Sequence, residues 1–217
     1  MKQLVRFAVV IMATAIVQPS AQEITTQIDN QWVHVFRESL QAHMRSAERA
    51  HPATVIVYLS DAHERLLRSD GSAKNIRRKY GEATYVDAGT YAVENASIAT
   101  INAVVIEMKD QPGHSQSSAL TRDPVKLDPK HHPVLLENDR VRVLHTILVP
   151  HVKSPQHQHP HYVVVYLTEL HTTQALPDGR VIDNPRVAGE IAWKDATTHA
   201  TENIGERTAE EIQVELK

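Results

Sequence analysis

Fourteen histidines and no cysteine in 217 residues restrict any metal chemistry to imidazoles, carboxylates and backbone oxygens. Disulfides, thiolate nucleophiles and iron–sulfur clusters are excluded with the cysteine. Three histidines are spaced for chemistry. His157 and His159 stand two apart in Pro155-Gln156-His157-Gln158-His159-Pro160, just before the apolar run Val163–Leu167. Residues two apart on a strand project to one face, so both rings can reach one interior point. Farther along, His199 lies between Gly189 and Asn203. Three neutral imidazoles converging inside a barrel would form a site for a divalent transition metal: iron, zinc, manganese, nickel or copper.

The elements that must position these rings come from an internal repeat. Residues 28–109 match residues 136–217 at a constant offset of 108 without a gap, with 27 identities in 82 positions. Asn30 pairs with Asn138, His51-Pro52 with His159-Pro160, Asp70-Gly71 with Asp178-Gly179, and Glu94-Asn95 with Glu202-Asn203. Two copies of one unit follow. Residues 110–130, with Pro112, Gly113, Pro124 and Pro129, read as the linker, leaving 131–217 as the second unit. Alternation of Val141, Val143 and Ile147, of Val163, Val165 and Leu167, and of Ile212, Val214 and Leu216 predicts antiparallel strands. The fold class is all-β, each unit a sandwich or barrel of short strands, with Val163, Val165 and Ile147 expected on the inward face.

In the first unit Arg49, His51 and Tyr91 stand where the second has His157, His159 and His199. An arginine, always protonated, cannot ligate a cation, so one metal site per chain is expected, in the second unit. The first then reads as a degenerate copy. Its Arg49 and Tyr91 are candidates for holding an anion. His43/His151 and His63/His171 recur in both units and read as structural, His145 as a core histidine, and His114, His131 and His132 as solvated linker positions. The carboxylates Glu169, Glu202, Glu210 and Glu211 have no spacing of a glycosidase pair, and Glu202 should face away from His199.

His-x-His before one strand, and Gly-x(9)-His-x(3)-Asn before another, resemble the two motifs of the cupin superfamily, and the duplication resembles a bicupin. That resemblance implies tandem antiparallel jelly-roll barrels, with His157, His159 and His199 on the metal-binding histidines. The sequence departs from the pattern where the motif's glutamate falls on Val163, its first glycine on His151, and its proline and second glycine near the second motif on Asp195 and Thr197. His161 shares the triad's parity, although Pro160 can turn it away.

Net charge is −3, from 23 Lys+Arg against 26 Asp+Glu, so nucleic acid is not an expected partner. Residues 1–21 have a leader pattern: basic Lys2 and Arg6, apolar 7–17, and a small residue at Ala21. Eleven apolar residues are short of the roughly 20 needed to span a bilayer. The expectation is a cleaved signal and a mature chain that is periplasmic or secreted, soluble and not membrane-bound. The expected function is a metal-binding bicupin acting on, or binding, a small molecule. Metal-dependent catalysis of the dioxygenase, isomerase or lyase type, a non-catalytic binding module and a structural bicupin all remain open. Metal affinity is expected to fall below about pH 6.5, as free imidazoles protonate.

Overall fold

The structure, a computed structural model, describes residues 22–109 and 120–217; the expected leader, 1–21, lies outside them. The first half holds β1 (Gln22–Asp29), β2 (Val33–Leu40), β3 (Arg49–His51), β4 (Thr54–Tyr58), β5 (Ala62–Arg68), β6 (Ala73–Arg78), β7 (Ala83–Val86), β8 (Gly89–Asn95) and β9 (Ile101–Met108). After the one-turn helix α1 (Pro124–Leu127) come β10 (Val134–Glu137), β11 (Val141–Leu148), β12 (His157–His159), β13 (Tyr162–Tyr166), β14 (Leu170–Ala175), β15 (Val181–Arg186), β16 (Ile191–Lys194), β17 (Thr197–Asn203) and β18 (Ala209–Leu216). From β2 and β11 onward each strand of the second half starts 108 residues after its counterpart.

Each half is a jelly roll of two antiparallel sheets, ordered β1-β2-β9-β4-β7 over β3-β8-β5-β6, and β10-β11-β18-β13-β16 over β12-β17-β14-β15. Many repeated residues make the turns. Oδ1 of Asn138 accepts hydrogen bonds from the amides of Arg140 and Val141, as Asn30 does for Trp32 and Val33. Asn203, fully buried, ties Leu148 to Arg207 through its side-chain amide, as Asn95 ties Leu40 to Ala99. His43 and His151 adopt positive φ, 60° and 62°, and so occupy a bend that favours glycine. Their recurrence is structural. His151 is also where the cupin pattern has its first glycine.

The two five-stranded sheets pack face to face. Val33, Val35, Val55, Val57, Val104 and Ile106 of one half meet Val141, Val143, Val163, Val165, Ile212 and Val214 of the other, all fully buried. Each such side chain contributes roughly 1.5–3 kcal/mol, which makes the two barrels one packed body. The placement of Val163 and Val165 corrects an expectation: they lie in this core between barrels, not on the inward face of their own, and Ile147, which shares the parity of Val143, likewise faces away from the interior that Leu148 enters. Strand β13 is buried throughout. Its even residues, Tyr162, Val164 and Tyr166, join Leu148, Leu170 and Ala209 inside the second barrel. Two apolar faces hide the alternation that would reveal which one is inward.

Candidate metal centre

Strand β12 lies at the edge of its sheet and pairs antiparallel with β17, His157 directly opposite His199. His159, two residues on, shares the inward face. All three rings are buried, at 1%, 2% and 2% exposure. Their ligand nitrogens lie within 4.8 Å of one another, and ring centroids are separated by 4.8 Å for His157–His159 and His157–His199 and 5.3 Å for His159–His199.

Neighbouring groups fix which nitrogens are free. Nδ1 of His157 lies 2.8 Å from the carbonyl of Pro155; since a carbonyl only accepts, this nitrogen carries the proton and Nε2 keeps its lone pair. Nδ1 of His159 lies 2.6 Å from Oε1 of Glu215, and its buried Nε2 has no partner. A carboxylate behind an imidazole is the arrangement that orients a metal-ligating histidine and raises its basicity. Glu215 is held in turn by Arg142 at 2.5 Å, and Arg142 by Asp123 at 2.9 Å. Burial pushes the Glu215 carboxyl above its ordinary value, with Arg142 opposing. Burial also holds every ring of the triad neutral: His157 is lowered, His159 well lowered, and His199 brought down to about 2.

The end of the expected linker is part of this centre. Asp123 caps α1 through the amide of Val125, the carbonyl of Arg122 accepts from the amide of Gln158 on β12 at 2.9 Å, and the chain then brings in His132. This ring is 1% exposed, 4.9 Å from His157 centre to centre, with Nδ1 tied to the carbonyl of Asp128 at 3.1 Å. Burial and the neighbouring His157 lower it to about 4. The expectation that His132 is solvated is therefore corrected: it sits beside the triad as a fourth buried imidazole. His131 is also largely buried, bonded to the Asp128 carboxylate at 2.8 Å. His161 turns the other way, stacked between Trp32 and Trp193 at 4.9 and 5.6 Å. At the triad's side of β13 stands Tyr162, its ring 4.8 Å from His159.

The inward face is more polar than the sequence suggested. Lys194 lies opposite Tyr162 on β16, Gln213 opposite Val164 and Glu211 opposite Tyr166 on β18. Burial lowers the Lys194 ammonium and raises the Glu211 carboxyl. Glu202 faces outward to Lys153 at 3.4 Å, as expected.

The first barrel repeats the frame without the ligands. Arg49 is opposite Tyr91, His51 stacks on Tyr91 at 3.9 Å, and Glu107, the counterpart of Glu215, takes both Arg49 at 2.9 Å and His51 at 3.3 Å. The Arg49 charge is thus already met by a carboxylate.

Neither family profiles nor curated protein sequences give a match. Solved structures do. AerE from Microcystis aeruginosa is similar over 93% of this chain and 95% of that one, with a TM-score of 0.68 and 13% identity. A cupin 2 conserved barrel domain protein from Leptotrichia buccalis is similar over 93% and 92%, TM-score 0.54, 12% identity. This chain has the cupin fold, twice over. Oxalate decarboxylase of Bacillus subtilis, studied for its Mn(II) centers, is similar over 92% of this chain and 78% of that one, TM-score 0.60, 10% identity. At these identities the likeness carries the fold alone, and what the cupin barrels of this chain do must be argued from their own residues.

Proposed function

We propose that the chain is an exported cupin protein whose second barrel holds one divalent transition metal on His157, His159 and His199 and acts there on a small organic molecule. The observation that carries the reading is the free, buried Nε2 of His159, backed at Nδ1 by Glu215 and set among two other neutral rings. An unpaired polar atom so enclosed costs free energy unless a partner completes it, and a borderline-soft cation suits an imidazole set. Manganese is one candidate, by likeness to oxalate decarboxylase. When bound, such an ion supplies Lewis acidity and, for a redox-active metal, electron transfer.

The chain's own residues supply the rest. Glu215 and Arg142 hold the His159 ring and its tautomer. Residues 120–133, with His132, close the β12 edge, and Tyr162 packs against His159. Glu211, whose carboxyl burial raises above its ordinary range, is one group on the inward face able to take up or release a proton. Export rests on the leader pattern of residues 1–21.

The test is metal analysis of protein purified from its native compartment, with His159→Ala and His51→Ala variants. One equivalent per chain, lost in the first variant and kept in the second, is the expected result. Equal loss from both would place the site elsewhere. Turnover screens of small acids, phenols and sugars, with His157→Ala as control, then separate an enzyme from a binding module.

A further inference from the structure

The repeat offers an internal comparison, because the two barrels share a backbone and differ in what lines them. At offset 108 the first barrel has Val86, Ala103 and Val105, where the second has Lys194, Glu211 and Gln213. Val86 and Ala103 belong to the apolar core of the first barrel, and Val105, 4% exposed, lies opposite Ile56 of that core. A barrel of this backbone therefore closes with apolar side chains at these positions. The second barrel carries an ammonium, a carboxyl and an amide there, which is unfavourable by desolvation unless something completes them.

The protein completes them only in part. Lys194 makes no ion pair among the described residues, and it stands opposite Tyr162, whose ring lies 4.8 Å from His159, which places it at the triad end of the barrel. Nε2 of Gln213 donates to Glu211 at 2.7 Å, yet Oε1 of Gln213, a residue 3% exposed, is buried without a partner. Across the sheet from Glu211, the hydroxyl of Thr146, 5% exposed, is likewise buried and unpartnered. A half-buried ammonium without an ion pair calls for an anion. An unanswered amide oxygen calls for a hydrogen-bond donor, and on a small molecule that carries an anionic group the common donor is a hydroxyl.

We propose that Lys194, Glu211 and Gln213 form one wall of a binding site for a small hydroxylated carboxylate, its carboxylate on Lys194 at the triad end and its hydroxyl on Gln213 Oε1 and Glu211. The proposal deepens the metal-site reading and rests on it for where the ligand lies. It differs in its residues, none of which is a ligand of the triad.

The experiment is isothermal titration calorimetry on full-length, zinc-loaded protein with L-malate, with succinate, which lacks the hydroxyl, and with erythritol, which lacks the carboxylates. Lys194→Val, Glu211→Ala and Gln213→Val variants each install the residue the first barrel uses, so folding is retained and the thermal midpoint without ligand stays level or rises. L-Malate should bind at least tenfold tighter than succinate, and erythritol should not bind. Lys194→Val should weaken malate at least tenfold, and Gln213→Val should erase the preference for malate over succinate. Unchanged malate affinity in both variants, or equal affinity for malate and succinate in the parent protein, overturns the proposal. If the protein holds one zinc per chain but binds none of the three, this inference fails and the metal reading stands. If malate binds with the expected variant pattern and the protein takes up no metal, the metal reading fails and this one stands.

Discussion

Glu215 accepts a 2.6 Å hydrogen bond from Nδ1 of His159. Glu107, 108 residues earlier, stands in the same relation to His51 at 3.3 Å. The carboxylate behind the ring is thus common to both barrels, and the second alone has the two further imidazoles. Glu215→Gln keeps the size of the side chain but removes its charge. Partners of this kind are typically worth 10–100-fold in metal affinity, so the variant should bind the metal about that much more weakly while its far-ultraviolet circular dichroism is unchanged. Competition titration with a chromophoric chelator measures it, and parent-like affinity would remove Glu215 from the site.

Four buried imidazoles held neutral make a definite demand on pH. Their native pKa values are lowered, to about 4 for His132 and about 2 for His199, against about 6.5 unfolded. The unfolded chain therefore takes up protons that the native barrel refuses. The stability these rings contribute is complete above pH 6.5 and is lost as pH falls. At pH 5 the loss from His132 alone is on the order of 2 kcal/mol. Urea unfolding of metal-free protein at pH 7.5 and pH 5 should show it, and His132→Phe should lose less over that interval than the parent. In the folded protein, protons compete weakly for these rings, so metal binding should persist below pH 6.5 rather than fade there.

The duplication of the strands and the triad were legible because each depends on local pattern: an ungapped offset of 108 reproduces the same strands twice, and His157 and His159 share a face in any strand. What lines the barrel was not legible. Pro160 and His161 stand between β12 and β13, so parity counted from the histidines does not carry across, and Val163, two positions further, falls on the opposite face. Strand β13 then gives no correction, since both its faces are buried. His132 was hidden by composition: a stretch with three prolines between 124 and 133 reads as a connection, although it ends against the metal centre. Glu215 had a signal, being identical in both repeats, but no neighbouring motif. Its partner is 56 residues away.

The same argument locates the effect of a change at Val163. Because this side chain is fully buried in the core between barrels, Val163→Ala should cost about 2 kcal/mol by lost burial and the cavity left behind. Metal content should stay at the parental level. Chemical denaturation together with metal analysis checks both. A variant that keeps its stability but loses its metal would return Val163 to the inward face.

The first barrel can be asked to become the second. Arg49 and Tyr91 face each other across β3 and β8 in the register that His157 and His199 have across β12 and β17, and Glu107 already backs His51. Arg49→His combined with Tyr91→His therefore sets three imidazoles on the same frame, and metal content should rise from one to two equivalents per chain. Two supports are absent there. His34 stands where Arg142 holds Glu215, and Ile24, at offset 108 from His132, is 49% exposed. The second site should therefore be weaker than the first and strengthen when His34→Arg is added, which calorimetric titration of the double and triple variants would show. If both variants fold and still hold one equivalent, backbone register and a carboxylate do not suffice to make the site, and the segment carrying His132 becomes part of what defines it.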